Sequence, residues 1–400
     1  MNTKKSLFLL SILTLVICIF NPVAYAAKSF NDNEVRIGTW GPLTGIHSAY
    51  GAATRISQVV WDLVNEEGGI HGRKFKLYIR DNQNDPTQTK VVVKELVERK
   101  GLFCAASGIS SICSIAIKDY LTEKKVPFVP LASSEQLTST FSPYMYSIFM
   151  SNVDQFSVLM KYTVENLGYR KIGYFYANDS YGKNGMKGCK QRLDHYGMKL
   201  VETIPVEHDD KDLSSQMLRF KNAGAEAILA MLPPVLQAIA IKTCAKINYK
   251  PQWVVTAGAC DYDLMSKLTG GLFEGVITGS FCEPPDSNHP LMVKYRDGLK
   301  RIAPKEKWTG YSPMAILYWE PLVEAFRRVG RNLSTEAFVK ALDTMKGFRG
   351  IGPKITFTPK NHQGSDSVMI KKCGPNASYI LLQDYTSNDL AGTSLGLTKE

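Results

Sequence analysis

Two short turns carry the residue types that could hold an anion. Gly108, Ser110 and Ser111 follow the apolar run ending at Ala105-Ala106 and precede an amphipathic stretch, and Ala132 and Ser133 follow Val126 to Pro130. A serine at a helix start most often does no more than cap it, its oxygen accepting an N–H of the first turn. The same N–H groups lack partners inside the helix, however, and the helix dipole there favours negative charge. Ser133, three residues before Gln136, has the spacing of a capping box leading into a second helix. One such turn is a weak signal. Two at the ends of neighbouring parallel strands would face the same crevice, and a carboxylate needs several converging donors.

The elements that must position these turns are read from periodicity. Val35 and Ile37 form a first strand, GPLTGIHSAYG a glycine-rich loop, and Ile56, Val59, Val60, Leu63 and Val64 a helical face that stops at Gly68-Gly69. Phe75, Leu77 and Ile79 alternate as a strand. Asp85-Pro86 opens a helix with an N-cap and a proline at its first position, and Gly101 to Ala105 leads into the first serine turn. The helix after that turn is expected to face inward with Ile112, Ile115, Ala116 and Tyr120. A second series follows an irregular passage near Met145 to Val153. Its strands are expected at Lys171 to Tyr176, Leu200 to Ile204, Ala227 to Met231, Trp253 to Thr256 and Gly275 to Ser280, with helices at Phe156 to Leu167, from YGKNG towards His195, and near Leu213 to Ala223 and Leu236 to Ile247. Helices Met314 to Arg328 and Thr335 to Met345 come next, and strands at Lys354 to Phe357 and Tyr379 to Gln383 close the chain. This alternation predicts an α/β fold of two similar lobes built on parallel-rich sheets.

The first residues read as an address. Lys4 and Lys5 precede an apolar run from Leu7 to Phe20, and Ala24-Tyr25-Ala26 is a small-x-small cleavage site, so a signal peptide is expected to be removed near Ala26. The run is short for a membrane span, and Ile17 before Cys18 does not fit a lipid-modified cysteine. An exported, periplasmic chain of some 370 residues is expected, which exceeds what one hydrophobic core commonly serves. With 44% hydrophobic and 21% charged residues it is an ordinary globular chain, not a disordered one. The formal net charge of +11 counts Lys4 and Lys5, and the remaining basic residues are scattered, so no nucleic-acid partner is expected. Of eight cysteines, seven lie beyond the cleavage site; Cys104 and Cys113 are the nearest by position to a plausible pair.

Catalytic motifs are missing. No P-loop or G-x-G-x-x-G after a strand occurs, the glycines of NEEGGIHG end a helix rather than open one, and no carboxylates are paired in a cleft. No C-x-x-C or H-E-x-x-H suggests a metal, and nothing suggests a cofactor. An exported hydrolase is therefore the least supported reading, and no enzymatic activity is expected.

The ordered set VRIGTWGPLTGIHSAYGAA, NEEGGIHGRKFKL, DNQNDPTQ, LTEKKVPFVPLASSEQLT, the YG of NDSYGKNG and IGPKITFTP resembles type I periplasmic binding proteins of the branched-chain amino acid, or Leu/Ile/Val-binding, family of ABC importers. The resemblance implies two Rossmann-like lobes joined by three crossovers, with residues 27–150 and 279–358 in the first and 151–278 and 359–400 in the second. It implies a monomer that captures a small molecule and delivers it to an ABC permease in the inner membrane. By position it implies that Tyr50 lies against the ligand, that Ser110 with Ser111 beside it, Ala132 and Ser133 hold a carboxylate and an amino group, and that Tyr181 meets the ligand from the second lobe.

Two departures bear on the ligand. Ala257, in VVTAGACDYD, stands where amino-acid binders carry the acid that pairs the ammonium, with Asp261 or Asp263 as the available substitutes; Pro233-Pro234 stands where a tyrosine lines the second lobe. Asn84 occupies one of the family's disulfide positions. An ammonium buried without its counter-charge costs several kcal/mol, so an amino acid and an apolar or aromatic acid remain alternatives. Solute capture for transport is the leading expectation, and a ligand-sensing receptor of the same fold feeding a signalling partner is the alternative.

Overall fold

A computed structural model of the chain describes residues 28–107 and 110–390. The expected signal peptide and Gly108 lie outside the described residues. A four-stranded parallel sheet, in the order β2-β1-β3-β4, is made of β1 (Glu34–Gly41), β2 (Lys74–Asp81), β3 (Cys104–Ser107) and β4 (Phe128–Pro130). Helices α1 (Gly51–Glu66), α2 (Pro86–Glu95) and α3 (Ser111–Glu123) connect them. As its sequence requires, α2 begins at Asp85, whose carboxylate accepts from Gln88 N, with Pro86 at the first helical position. After α4 (Asn152–Glu165), the strands β5 (Ile172–Ala177), β6 (Glu202–Val206), β7 (Ala227–Met231), β8 (Gln252–Val255) and β9 (Ile277–Ser280) alternate with α5 (Ser180–His195), α6 (Ser214–Asn222), α7 (Pro234–Lys246) and α8 (Tyr262–Thr269). The chain then supplies α9 (Pro290–Ile302), α10 (Ser312–Val329) and α11 (Thr335–Asp343), and returns with β10 (Ser367–Cys373) and β11 (Tyr379–Ser387) to finish a seven-stranded sheet, β11-β10-β9-β8-β7-β5-β6. β10 and β11 are the antiparallel edge; the rest is parallel. Lys354 to Phe357 forms no strand: Ile355 makes an isolated bridge to Phe348, and the strand that reaches the second sheet is β10, further on.

The chain passes between the two sheets three times, because α9 and α10 pack on α1 beside the first sheet before β10 joins the second. Aromatic rings hold that packing. Trp61 of α1 stacks on Phe75 at 4.5 Å between ring centres and meets Trp319 of α10 edge-on at 5.1 Å, and Phe326 packs on Phe103 and Phe338. In the second sheet, Phe175 packs on Phe220 of α6, and Tyr262 of α8 stacks on Tyr379 of β11 at 4.2 Å. Helices α4 and α5 lie close because Gly188 has no side chain: a Cβ there would stand 1.9 Å from Val153 O. The buried Arg192 then ties α5 to Ser157 of α4 and to Asn388 and Asp389. All seven described cysteines are buried and free, Cys104 and Cys113 included.

Candidate functional site

In the first sheet the strand order reverses direction between β1 and β3, and in the second between β5 and β7. Ligands of open α/β sheets sit outside the carboxyl ends of the strands at such a reversal. Here the two reversals face each other. The space between them is a cleft of about 890 Å³, its mouth included, large enough for a small metabolite. The first sheet contributes His47 and Tyr50 after β1, Asn84 after β2, Ser110, Ser111 and Ile112 after β3, and Leu131, Ala132 and Ser133 after β4. The second contributes Asp179 and Tyr181 after β5, His208 after β6, Pro233 after β7, and Thr256, Ala257 and Gly258 after β8.

Six of the residues singled out in the sequence, Tyr50, Ser110, Ser111, Ala132, Ser133 and Tyr181, thus line one cleft. Ser110 caps α3, its hydroxyl accepting from Cys113 N at 3.4 Å, and its carbonyl accepts from Ser114 N. The N–H groups of Ser111 and Ile112, in the first turn, have no partner within the helix. Ser110 holds φ 147°, a region that side chains disfavour and that costs about 1–3 kcal/mol where it is enforced. The buried face of α3 is Cys113, Ser114, Ile117 and Leu121, offset from the Ile112, Ile115, Ala116 and Tyr120 expected. The offset leaves Ile112 lining the cleft. The second serine turn also differs from expectation. It enters only a three-residue 3-10 turn, Glu135–Leu137, whose cap is Ser134, accepting from Gln136 N. Ser133 is therefore not the cap; its carbonyl accepts from Asn152 N at 2.7 Å, which fixes the turn against the start of α4.

The opposite wall is knitted together by its own hydrogen bonds. Tyr181 donates to Thr256 Oγ1 at 2.8 Å, Thr256 Oγ1 also accepts from Gly258 N at 3.2 Å, and Gln155 Oε1 accepts from Ala257 N at 3.0 Å. Across the gap Tyr50 and Tyr311 both donate to Gly258 O, at 3.4 and 2.9 Å. A Cβ on Gly258 would meet Tyr181 Oη at 2.9 Å and Tyr50 Oη at 3.3 Å, so this approach requires glycine. Burial pushes the Tyr50 hydroxyl well above its ordinary range, with Tyr181 and Cys260 adding to the effect. Neither substitute acid enters the cleft. Asp261 caps α8 through Leu264 N and accepts from Gly310 N, each at 3.0 Å, and Asp263 is exposed.

The sequence reading missed a polar cluster at the rim. His208 Nε2 lies 3.1 Å from Asp179 Oδ2, Asp179 Oδ1 caps α5 through Gly182 N at 3.0 Å, and the His47 ring meets His208 edge-on at 5.7 Å from the other side. The hydrogen bond from the His208 ring to Asp179 raises the His208 pKa, while burial and then His208 lower that of His47. Two further links span the mouth: Asn184 Nδ2 to Ser134 Oγ at 3.1 Å and Lys187 to Glu135 at 2.7 Å. These contacts join the two walls across the cleft.

Residues 34–376 match the family model of periplasmic binding proteins. The chain belongs to the type I periplasmic binding protein family. Leu/Ile/Val-binding protein homolog 1 of Brucella abortus is 25% identical to this family member over 343 residues, 84% of this chain and 89% of the relative. Leu/Ile/Val-binding protein homolog 3 of Brucella melitensis is 25% identical over 208 residues, 52% of this chain and 56% of the relative, so that match spans about half of each. A fatty acid ABC transporter substrate-binding protein from Thermomonospora curvata superposes with a TM-score of 0.83 at 19% identity, covering 92% of this chain and 96% of that one. At that identity the likeness is one of fold. The fatty acid ABC transporter substrate-binding protein thus shares the architecture of this periplasmic binding protein.

Proposed function

We propose that the chain is the extracytoplasmic solute-binding component of an ABC importer, which captures a small carboxylate-bearing molecule by closing two lobes on it and presents it to a membrane permease. The lobes are residues 27–150 with 279–358 and 151–278 with 359–400. The observation that carries the reading is the convergence of Ser110, Ser111 and Ser133, with the first turn of α3, on one wall of a cleft whose other wall belongs to a different sheet. The donors suit an anionic head, and Ile112, Leu131, Phe149, Phe281 and Met314 give its body an apolar seat. The names of the relatives support both amino acids and fatty acids as ligand classes. Preferential binding to the closed form drives closure, and no covalent chemistry is needed.

A thermal-shift screen of amino acids, aromatic acids and short fatty acids tests this. A ligand present at about 100 times its Kd stabilises the folded state by about 2.7 kcal/mol, a shift of several degrees. Absence of any shift across the three classes, in protein confirmed free of a co-purified ligand, would sink the proposal.

A further inference from the structure

We infer that the ligand is a carboxylic acid without an ammonium group, and that the side-chain amide of Asn152 is one of the donors to its oxygens. This deepens the proposed function and rests on it. An ammonium needs an anionic or at least an open acceptor partner when it leaves water. Asp179 is the one acidic residue among the described residues that line the cleft, and its two oxygens already face Gly182 N and His208 Nε2. Ala257 offers no acceptor in its side chain, and the nearby amide oxygen of Gln155 is taken by Ala257 N. Gly258 O already accepts from two tyrosines. On the second-sheet wall His208 Nδ1, which has no partner among the described residues, is not an anion, and Gly258 O, Gln155 Oε1 and Thr256 Oγ1 are thus engaged within the protein.

The donors are not. Asn152 is 1% exposed, lines the cleft, and its Nδ2 has no partner among the described residues. An unmet buried donor costs about 1–3 kcal/mol, which an incoming acceptor oxygen relieves. Its location favours the anionic head as that acceptor, because the backbone N–H of Asn152 is bonded to Ser133 O at 2.7 Å, placing the amide beside the second serine turn. A cleft with spare donors and no spare anion selects an acid over a zwitterion.

The test is binding of matched pairs that differ only in the amino group: 4-methylpentanoate against leucine and 3-phenylpropanoate against phenylalanine, by calorimetry on the mature protein, with the corresponding neutral amides as a third arm. At least one acid is expected to bind about tenfold or more tighter than its amino acid. Tighter binding of the amino acid would overturn this inference while leaving the proposed function standing; binding of the amides alone, or of no member of the set, would overturn both. Ala257→Glu is expected to shift the ratio at least tenfold towards the amino acid. Asn152→Asp, which sets a like charge beside the ligand head, is expected to weaken the acid at least tenfold and, because the new carboxylate is buried, to lower the melting temperature of the free protein, whose cooperative unfolding is checked first. Acid affinity unchanged in Asn152→Asp would remove Asn152 from the site.

Discussion

The two walls of the cleft are made by the same topological device and end as chemical opposites. Each is a set of loops at strand tips where the order of a parallel sheet reverses. The first-sheet wall sets the first turn of α3 and the hydroxyls of Ser110, Ser111 and Ser133 along the cleft. The second-sheet wall spends most of its polar groups on itself, Tyr181 on Thr256, Thr256 on Gly258, Gln155 on Ala257, and leaves the amide nitrogen of Asn152 without a partner among the described residues. The fold therefore decides where the cleft is, and the few residues at the tips decide what it takes. Under the proposed function the walls have different tasks: one grips a charged head, and the other forms a preformed lid that loses little on closure because most of its hydrogen bonds are already made.

Substitutions on the two walls test that division. The largest effect is expected for Ser110→Ala combined with Ser133→Ala, each removing a donor to a charged group and weakening binding by about 1.5–3 kcal/mol. Equilibrium dialysis against the best ligand measures this, and unchanged affinity in the double variant would mean that the grip lies elsewhere. Ser110→Gly separates two roles of one residue. It should lose the hydroxyl's share of affinity yet raise the melting temperature, since glycine adopts the backbone angle that Ser110 holds at a cost of about 1–3 kcal/mol. On the other wall Tyr181→Phe removes only an internal bond to Thr256, so a loss of about 0.5–1.5 kcal/mol in stability is expected with a smaller loss of affinity. If Tyr181→Phe cost more affinity than Ser110→Ala, the assignment of grip and lid would be reversed.

How legible each wall was in the sequence differs for a physical reason. The alternating rhythm placed most strands within a residue or two, because buried parallel strands are short continuous apolar runs such as AILAM of β7. The first wall announced itself through serines before an amphipathic stretch. Even there the reading slipped: the cap is Ser134 and not Ser133, and the buried face of α3 is offset, since Lys118 turns inward to bond Gln136 O and Thr140 O instead of lying on a solvated face. The second wall was largely silent. Thr256 and Gly258 sit in a small-residue run, and Gly258 earns its place only against the hydroxyls of Tyr181 and Tyr50, the latter 208 residues away. Gln155 meets Ala257 across 102 residues. His47 and His208 lie in loops with no periodic pattern; the signal available was their position just beyond strand ends, where side chains reach a cleft. The strand expected at Lys354 to Phe357 failed because alternation alone does not supply a partner strand, and β10 takes the place beside β9.

The rim where the walls meet yields the smallest effect and the most specific one. His47 comes from the first wall, His208 and Asp179 from the second, and Glu207 and Asp209 flank His208. Asp179 raises the His208 pKa, so the stabilisation from that pair is complete below the ordinary histidine pKa of about 6.5 and fades as pH rises through the raised value. His47 has the opposite sign. Its pKa is lowered in the closed form by burial and by His208, so once pH falls through about 6.5 the open form takes up a proton that the closed form refuses, and closure weakens. The Asp179–His208 pair lies within one wall and is kept in the open and the closed form, so it does not drive closure; at pH 5.5 His208 carries its charge and an open-state His47 carries another, which must be given up or forced against it. Affinity should therefore fall between pH 7.5 and 5.5, by no more than about 1 kcal/mol because both rings keep contact with solvent. His47→Asn should flatten the profile while leaving affinity at pH 7.5 nearly unchanged, and His208→Asn should flatten it less, since burial of His47 remains. A profile that stayed steep in His47→Asn would move the pH dependence from the rim to the grip on the ligand itself.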